Sequence, residues 1–378
     1  MKDTHSIANH LTEHRRKRGF SAADLARCAG ISRQTVYAIE SGSYVPNTAV
    51  ALRLARTLEV NIEDLFALPP EAPAAPPTEP VTLLPQPDAP RAGDPVQLCR
   101  VDRRTVASSP LPFPWYLPTA DAVLLGGAGA PGRHARATVQ LFHGDYDLAN
   151  RILVAGCDPG VSVLARHVLR AGVELVVAHR NSSQALALLK QGVVHVAGTH
   201  LRDQPSGESN LPAIHRLFAR QNVAVVCLAV WEEGIVVARG NPKSVRSVAD
   251  FARRDIAIVN REPGAGSRVL LDEHLARLGL AGENVQGYDR LAAGHLPAAW
   301  LVRAGDADCC IATRAAARVF GLDFIPLATA RYDLALRQHH LDHPPVAALL
   351  DTLNRASFRR ELEGLGGYDS SVAGRRLL

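Results

Sequence analysis

The six cysteines of this chain, Cys28, Cys99, Cys157, Cys227, Cys309 and Cys310, include no C-x-x-C pair. The absence removes the usual spacing of zinc clips and redox dithiols, and a chain of 378 residues does not need disulfides to hold a core. A reducing compartment is the simpler expectation. No stretch reaches the roughly 20 uninterrupted apolar residues of a membrane span. The opening MKDTHSIANHLTEHRRKRG has no apolar h-region and no cleavage-site pattern. A cytoplasmic protein with no membrane partner is expected. The motifs G-x-x-x-x-G-K-[ST], G-x-S-x-G and H-E-x-x-H are also missing, which disfavours an enzyme that uses its GAGS loop as a phosphate cradle. Charge of neither sign dominates: a formal net charge of +5 permits nucleic-acid binding without demanding it. No internal repeat of fixed period stands out.

What is present is apolar content, 47% of residues, enough at this length for two or three domains. Residues 69–95, PPEAPAAPPTEPVTLLPQPDAPRAGDP, are rich in Pro and Ala and read as a semi-rigid linker. Before it, 1–68 carry an all-helical pattern; after it, 96–378 begin with β-rich runs such as AVLLGG and ATVQLFHG. From about residue 151 strands and helices alternate.

In the first segment five short helices are expected. The first closes at Gly19, the second is capped by Ser21, and Gly30 makes the turn to a third capped by Ser32. Asn47 caps the fourth, and NIEDLF forms the fifth. Two helices joined by a tight Gly turn, with Ala26, Ile31 and Val36 at packing positions, make a helix-turn-helix. The segment SAADLARCAGISRQTVYAIESGSYVPNTAVALRLARTLEVNIEDLF resembles the Xre and lambda-Cro-like repressor family, most specifically in ISRQTVYAIESG. The resemblance implies that the third helix enters the major groove and that Ser32, Arg33, Gln34, Thr35 and Tyr37 lie near bases or phosphates. Arg33 and Gln34 carry the side chains that match guanine and adenine edges. It also implies a dimer on a double-stranded operator. The run Arg15, Arg16, Lys17, Arg18 reads equally as a solvated helix end or a phosphate contact, with Arg16 and Lys17 as DNA candidates. Where the family often has Gln after the second helix's cap, Ala22 stands here.

In the last segment, apolar strands alternating with helices argue for a parallel α/β sheet buried on both faces. Ligands bind such sheets at strand ends beside helix N-termini, whose free N–H groups favour anions. The loops so placed are CDPGVS, RNSS and REPGAGS. The ordered motifs AGCDPG, NSSQAL, HVAGTHL, GESNLP, GNPKSV, NREPGAGSRVLLD and FIPLATARYDL resemble a periplasmic-binding-protein-like domain of the molybdate-binding type. That resemblance implies a two-lobed type II fold, with a second lobe over about 234–325 and a hinge near 229–234 and 325–330. It implies an oxyanion held by Asp158, Gly160 and Ser162 in the first loop and by Asn181, Ser182 and Ser183 in the second. Gly264, Gly266, Ser267 and Arg268 line the third, with Tyr332 on the return. Molybdate or tungstate would then be an effector, not a catalytic cofactor. Cys157, Asp158, Arg180, Glu208 and Asn210 enrich the lining beyond what a tetraoxyanion requires, which leaves open a larger organic or molybdenum-cofactor-related ligand. A DNA-bound scaffold with a ligand-free second domain is the remaining reading. No metal site is expected: HHLDH at 339–343 reads as a solvated loop, and Cys309 and Cys310 as buried residues facing opposite sides of a strand.

Overall fold

Polar side chains set the helix starts in the N-terminal part of the chain. The oxygens of Ser21, Ser32 and Asn47 accept the backbone N–H of Asp24, Thr35 and Val50, and Gly30 turns the chain at φ 64. The computed structural model describes residues 7–67, 77–85, 90–110, 117–128, 134–144, 147–202, 209–219 and 222–378. It divides into two units, Met1–Ala75 and Pro76–Leu378. The first unit contains β1 (Ala8–Asn9), α1 (Leu11–Lys17), α2 (Ala22–Ala29), α3 (Arg33–Glu40), α4 (Thr48–Leu58), α5 (Ile62–Leu65) and β2 (Phe66–Ala67). Leu11, Leu25, Val36, Ile39, Leu54 and Leu65 meet in its core. The short antiparallel pairing of β1 with β2, which the helical reading did not foresee, ties the ends of the unit together.

The second unit opens with a correction. Residues 69–95 are not linker throughout, because Thr78–Leu83 form strand β3, paired along its length with a later strand. Pro80 and the surrounding prolines hide a period of two in which Val81 and Leu83 point inward. Residues 69–76 and 86–89 of that stretch lie outside the described residues. With β4 (Pro95–Val101), β5 (Arg104–Ser108), β6 (Ala122–Ala128) and β7 (Ala135–Leu141), β3 closes a barrel in the order β3-β5-β4-β6-β7. The boundary expected at residue 96 therefore falls inside this barrel.

Beyond it come β8 (Arg151–Gly156), α6 (Val161–Leu169), β9 (Glu174–His179), α7 (Ser182–Gln191), β10 (Val196–Thr199), α8 (Leu211–Phe218) and β11 (Val223–Val237). Next are β12 (Ile258–Arg261), α9 (Gly266–Arg277), β13 (Leu291–Ala292), α10 (His295–Ala304), β14 (Cys309–Thr313) and α11 (Arg314–Val319). The chain ends with β15 (Asp323–Arg337), α12 (Pro344–Thr352), α13 (Ala356–Gly364) and β16 (Tyr368–Asp369).

One sheet in the order β13-β12-β14-β11-β15-β10-β8-β9, with β16 beside β11, serves two lobes. β8, β9 and β10 run parallel on one half of the β11–β15 pair, and β12, β13 and β14 on the other. β11 and β15 pair antiparallel from Val223↔Arg337 to Val237↔Asp323, with register shifts between Cys227 and Ala229 and between Glu233 and Gly234. In the first lobe Ile152 and Val154 pack with α6, α12 and α13, while Leu153 and Ala155 pack with α7, α8 and the barrel residues Leu84, Cys99 and Val106. The buried Arg151 fastens the barrel, its guanidinium donating to Asp121 at 2.6 and 3.1 Å and to the Leu98 carbonyl at 2.9 Å.

Cys309 and Cys310 are consecutive in β14 and enter opposite cores, as their strand placement requires. HHLDH is more than a solvated loop: His340 is buried and lies 3.1 Å from Asp102 Oδ1, with His339 at 3.4 Å from the same oxygen. These contacts seat the barrel's β4–β5 turn against the first lobe. Among the described residues no helix is long and apolar enough to cross a membrane.

Candidate functional site

In the first unit, the phase of α3 sends Val36 and Ile39 into the core and leaves Arg33, Gln34 and Tyr37 exposed. Thr35 is half-buried, fixed by Ser32, whose Oγ lies 2.8 Å from Thr35 Oγ1. The Arg33 guanidinium stands 3.0 Å from the Tyr37 hydroxyl and 5.3 Å from the ring centroid, so the two present one ordered edge. Arg16 and Lys17 are exposed. Their neighbours serve structure instead: Arg15 grips the Glu40 carboxylate with little exposure of either, and Arg18 meets Glu59 at 2.9 Å.

In the second unit the loops that follow β8, β10 and β12 converge with the starts of α7, α9 and α10. Tyr332 on β15 is fully buried, and its hydroxyl accepts the Cys157 N–H at 3.2 Å. It fits only because two strands carry glycine: a Cβ at Gly156 or Gly198 would lie 2.3 or 2.0 Å from that oxygen. Asn181 caps α7 and so frees Ser182 for another bond. The Ser182 Oγ accepts the His200 N–H at 3.0 Å and lies 3.2 Å from His200 Nδ1. When that hydroxyl donates to Nδ1, the neutral ring carries its proton on Nε2.

The second lobe supplies Arg261, Ser267 and His295. Ser267 donates to the Glu233 carboxylate. Asn181 Nδ2 donates to the Pro263 carbonyl at 3.2 Å, and the Ser183 N–H to the Gly264 carbonyl at 3.4 Å. Gly266 abuts His200 so closely that a Cβ there would sit 2.5 Å from its ring and carbonyl. The lobes are thus closed on one another.

Between them lie five buried atoms with no hydrogen-bond partner among the described residues: Asp158 Oδ2, His200 Nε2, Trp231 Nε1, Arg261 Nη1 and His295 Nδ1. The His200 and His295 rings stand 5.0 and 5.2 Å from Trp231 and 5.4 Å from each other. An unsatisfied buried polar atom costs about 1–3 kcal/mol, so such a group asks for a ligand. A cavity of about 660 Å³ touches it at Cys157 and Arg261 and continues to Arg180 and Gln184. A second, about 370 Å³, touches it at His200, Glu233 and Gly266. Burial sets the protonation states. It raises Asp158 to about 7 although Tyr368 and the Gly160 N–H bond its carboxylate, and it lowers His200 to about 3 with help from the Arg261 charge. The same desolvation raises Glu233 and pushes Cys157 up to about 12.

Of the residues expected from sequence, Asp158, Ser182, Gly264, Gly266, Ser267 and Tyr332 come together here. Asn181 and Ser183 act through a cap and a backbone N–H that bridge the lobes. Gly160 sits behind Asp158, where a Cβ would meet Leu362 and Tyr368. Ser162 is a correction: it is exposed and bonds the Pro159 carbonyl at 2.9 Å. So is Arg268, which turns along α9 to Asp272 at 3.2 Å and over the Tyr288 ring at 3.8 Å. Not foreseen as site residues were His200, Trp231, Glu233, Arg261, His295 and Tyr368. Where no metal site was expected, Cys157, His200 and His295 bring three buried ligand atoms within 4.8 Å of one another. Asp102, His339 and His340 form a similar, more exposed group at the barrel.

Fold and site together define a two-lobed binding domain carried behind a helix-turn-helix unit. Residues 165–354 match the PBP superfamily domain model and residues 11–65 a helix-turn-helix model. This chain belongs to the PBP superfamily domain family. It is 30% identical over 243 residues to the uncharacterized protein YvgK of Bacillus subtilis (strain 168), covering 64% of this chain and 78% of that protein. The front unit is 40% identical over 62 residues to the uncharacterized HTH-type transcriptional regulator YgzD of the same organism, 16% of this chain and 94% of that one. The sulfate-binding protein SubI from Mycobacterium tuberculosis H37Rv superposes with a TM-score of 0.42 at 15% identity, covering 58% of this chain and 86% of that chain.

Three outcomes are expected. Arg33→Ala weakens binding to a selected operator by roughly 10- to 100-fold while nonspecific binding at the same salt changes far less; equal losses in gel-shift titrations would argue against base readout. Gly266→Ala keeps the lobes from closing, which small-angle scattering reads as a more open particle; an unchanged profile would show that the His200 contact yields. Asp158→Asn alters the pH dependence of stability. The raised carboxyl contributes stability that is fully present below its unfolded pKa of about 4 and is lost as pH rises through about 7. Denaturant unfolding from pH 5 to 8 should show the variant gaining on the parent as pH rises, and parallel curves would refute the assignment.

Proposed function

We propose that this chain is a one-component transcription regulator whose helix-turn-helix unit binds operator DNA as a homodimer. In this reading its two-lobed domain senses a small oxyanion, with molybdate or tungstate as effector. The name borne by YgzD supports the first half, as does the exposed edge of Arg33, Gln34 and Tyr37. Such a protein works where DNA is, in the cytoplasm.

The observation that carries the second half is the chemistry of the unpartnered atoms. Trp231 Nε1 and Arg261 Nη1 can only donate, and the neutral rings of His200 and His295 donate from Nε2 and Nδ1. Asp158, which would repel a dianion when ionised, is held protonated up to about pH 7 and becomes a donor itself. Arg261 adds a fixed positive charge, and three helix starts face the same space. Satisfying these donors stabilises the closed form, and the shift between open and closed populations is the signal. A second reading, a larger organic or molybdenum-cofactor-related anion, draws on the cavity of about 660 Å³ with Arg180 on its wall.

Thermal unfolding with molybdate, tungstate, sulfate, phosphate and small organic anions tests this. Ligand at 100 times its dissociation constant adds about 2.7 kcal/mol, which for a domain of this size raises Tm by roughly 4 °C. No shift with any oxyanion would overturn the proposal, and a shift with organic anions alone would transfer it to the second reading.

A further inference from the structure

Resting on the cleft as the ligand site, the geometry points to inner-sphere capture: we propose that the ligand carries a d-block metal centre coordinated by Cys157 Sγ and by the imidazoles of His200 and His295. The thiol sulfur lies 3.9 Å from His200 Nδ1 and 4.0 Å from His295 Nε2. For zinc, metal–sulfur and metal–nitrogen bonds of about 2.3 and 2.0–2.1 Å at tetrahedral angles separate sulfur from nitrogen by roughly 3.6 Å, so an adjustment of a few tenths of an ångström forms the site. Cys157, His200 and His295 are all buried, with 8%, 4% and 0% exposure. Thiolate and imidazole together select transition metals over magnesium or calcium. The metal takes the His200 Nδ1 lone pair in place of the Ser182 hydroxyl now 3.2 Å away, while Ser182 Oγ keeps the His200 backbone N–H at 3.0 Å and Glu233 Oε1 lies 3.9 Å from the ring's far nitrogen.

The three ligands come from both sides of the hinge. Cys157 and His200 follow β8 and β10 of the first lobe, whereas His295 opens α10 of the second. A metal centre held by all three is a bond between the lobes, assembled only on closure. It also supplies a discrimination that hydrogen bonds to oxygen offer poorly, because sulfate and molybdate are both tetrahedral dianions. Molybdenum(VI) exchanges an oxo group for a thiolate, and sulfur(VI) does not. In that exchange one metal–sulfur bond forms and one metal–oxygen bond breaks, while the two imidazoles add as neutral donors and raise the coordination number from four to six with no further bond broken. The thiol proton and one proton from solution leave with the released oxygen as water, and the metal remains at +6. A bare divalent ion would form the same metal–sulfur bond and release the thiol proton to solution.

The test titrates the full chain separately with sodium molybdate, sodium sulfate and zinc chloride, by calorimetry in buffers of different ionisation heat and by X-ray absorption at the metal edge. Expected are metal–sulfur scattering in the parent protein and at least a 10-fold weaker affinity in both Cys157→Ser and His295→Gln, with sulfate giving neither. Proton uptake with molybdate identifies a metal oxyanion, and proton release with zinc but no molybdate binding identifies a bare ion; both support coordination. Molybdate that binds parent and Cys157→Ser alike, with oxygen-only scattering, overturns the inference and leaves oxyanion sensing intact. Failure of both molybdate and zinc to bind overturns the inference, and failure of every oxyanion overturns the sensing proposal with it. The scattering measurement on the parent protein does not depend on either variant folding.

Discussion

Two strands of fifteen residues, Val223–Val237 and Asp323–Arg337, pair along their whole length, and each lobe grows from one half of that ladder. The lobes cannot part unless this ladder bends. Its weak place is marked by the register shift at Glu233 and Gly234, opposite Pro326, which has no N–H to donate. Trp231 and Glu233 lie on one of these strands and Tyr332 on the other, so residues that line the cleft also belong to the backbone that must flex. Contact and motion are coupled by covalent connection, without a relay between distant sites.

The cleft gathers polar groups that a core would normally exclude. Folded chains satisfy nearly all buried donors and acceptors, and this one satisfies many nearby: Ser182 with His200, Ser267 with Glu233, Tyr368 with Asp158. Among the described residues, most of the buried side-chain atoms left without a hydrogen bond lie between the lobes. Closure without a ligand is therefore penalised and closure with one is not, which is the requirement for a sensor whose two states differ by only a few kcal/mol.

Much of the front unit was legible because its signals are local. Ser21, Ser32 and Asn47 each announce a helix within three residues, and Gly30 the turn between two of them. The barrel was hidden because Pro80 and its neighbours outweighed the alternation of Val81 and Leu83, and because β3 finds its partner as far away in sequence as Thr78↔Gln140. In the cleft, the loops were readable but the rotation of each helix start was not. Ser162 and Arg268 stand in the right motifs and face the wrong way. His200 sat in a recognised motif, yet its role depends on β10 lying beside the first turn of α7, a neighbourhood that no local pattern encodes. The proton that lets Asp158 face an anion comes from burial, against the opposing Tyr368 hydrogen bond, and burial of that loop is a tertiary fact no local pattern encodes.

The five-stranded unit between residues 78 and 141 is closed upon itself, each strand flanked by two others. Closure leaves this unit no terminal strand to which a stranger's β-strand could add. The margins among the described residues of the second unit are β9 and β13 of the larger sheet, so strand addition is directed there, away from this appendage bound through Arg151 to the first lobe.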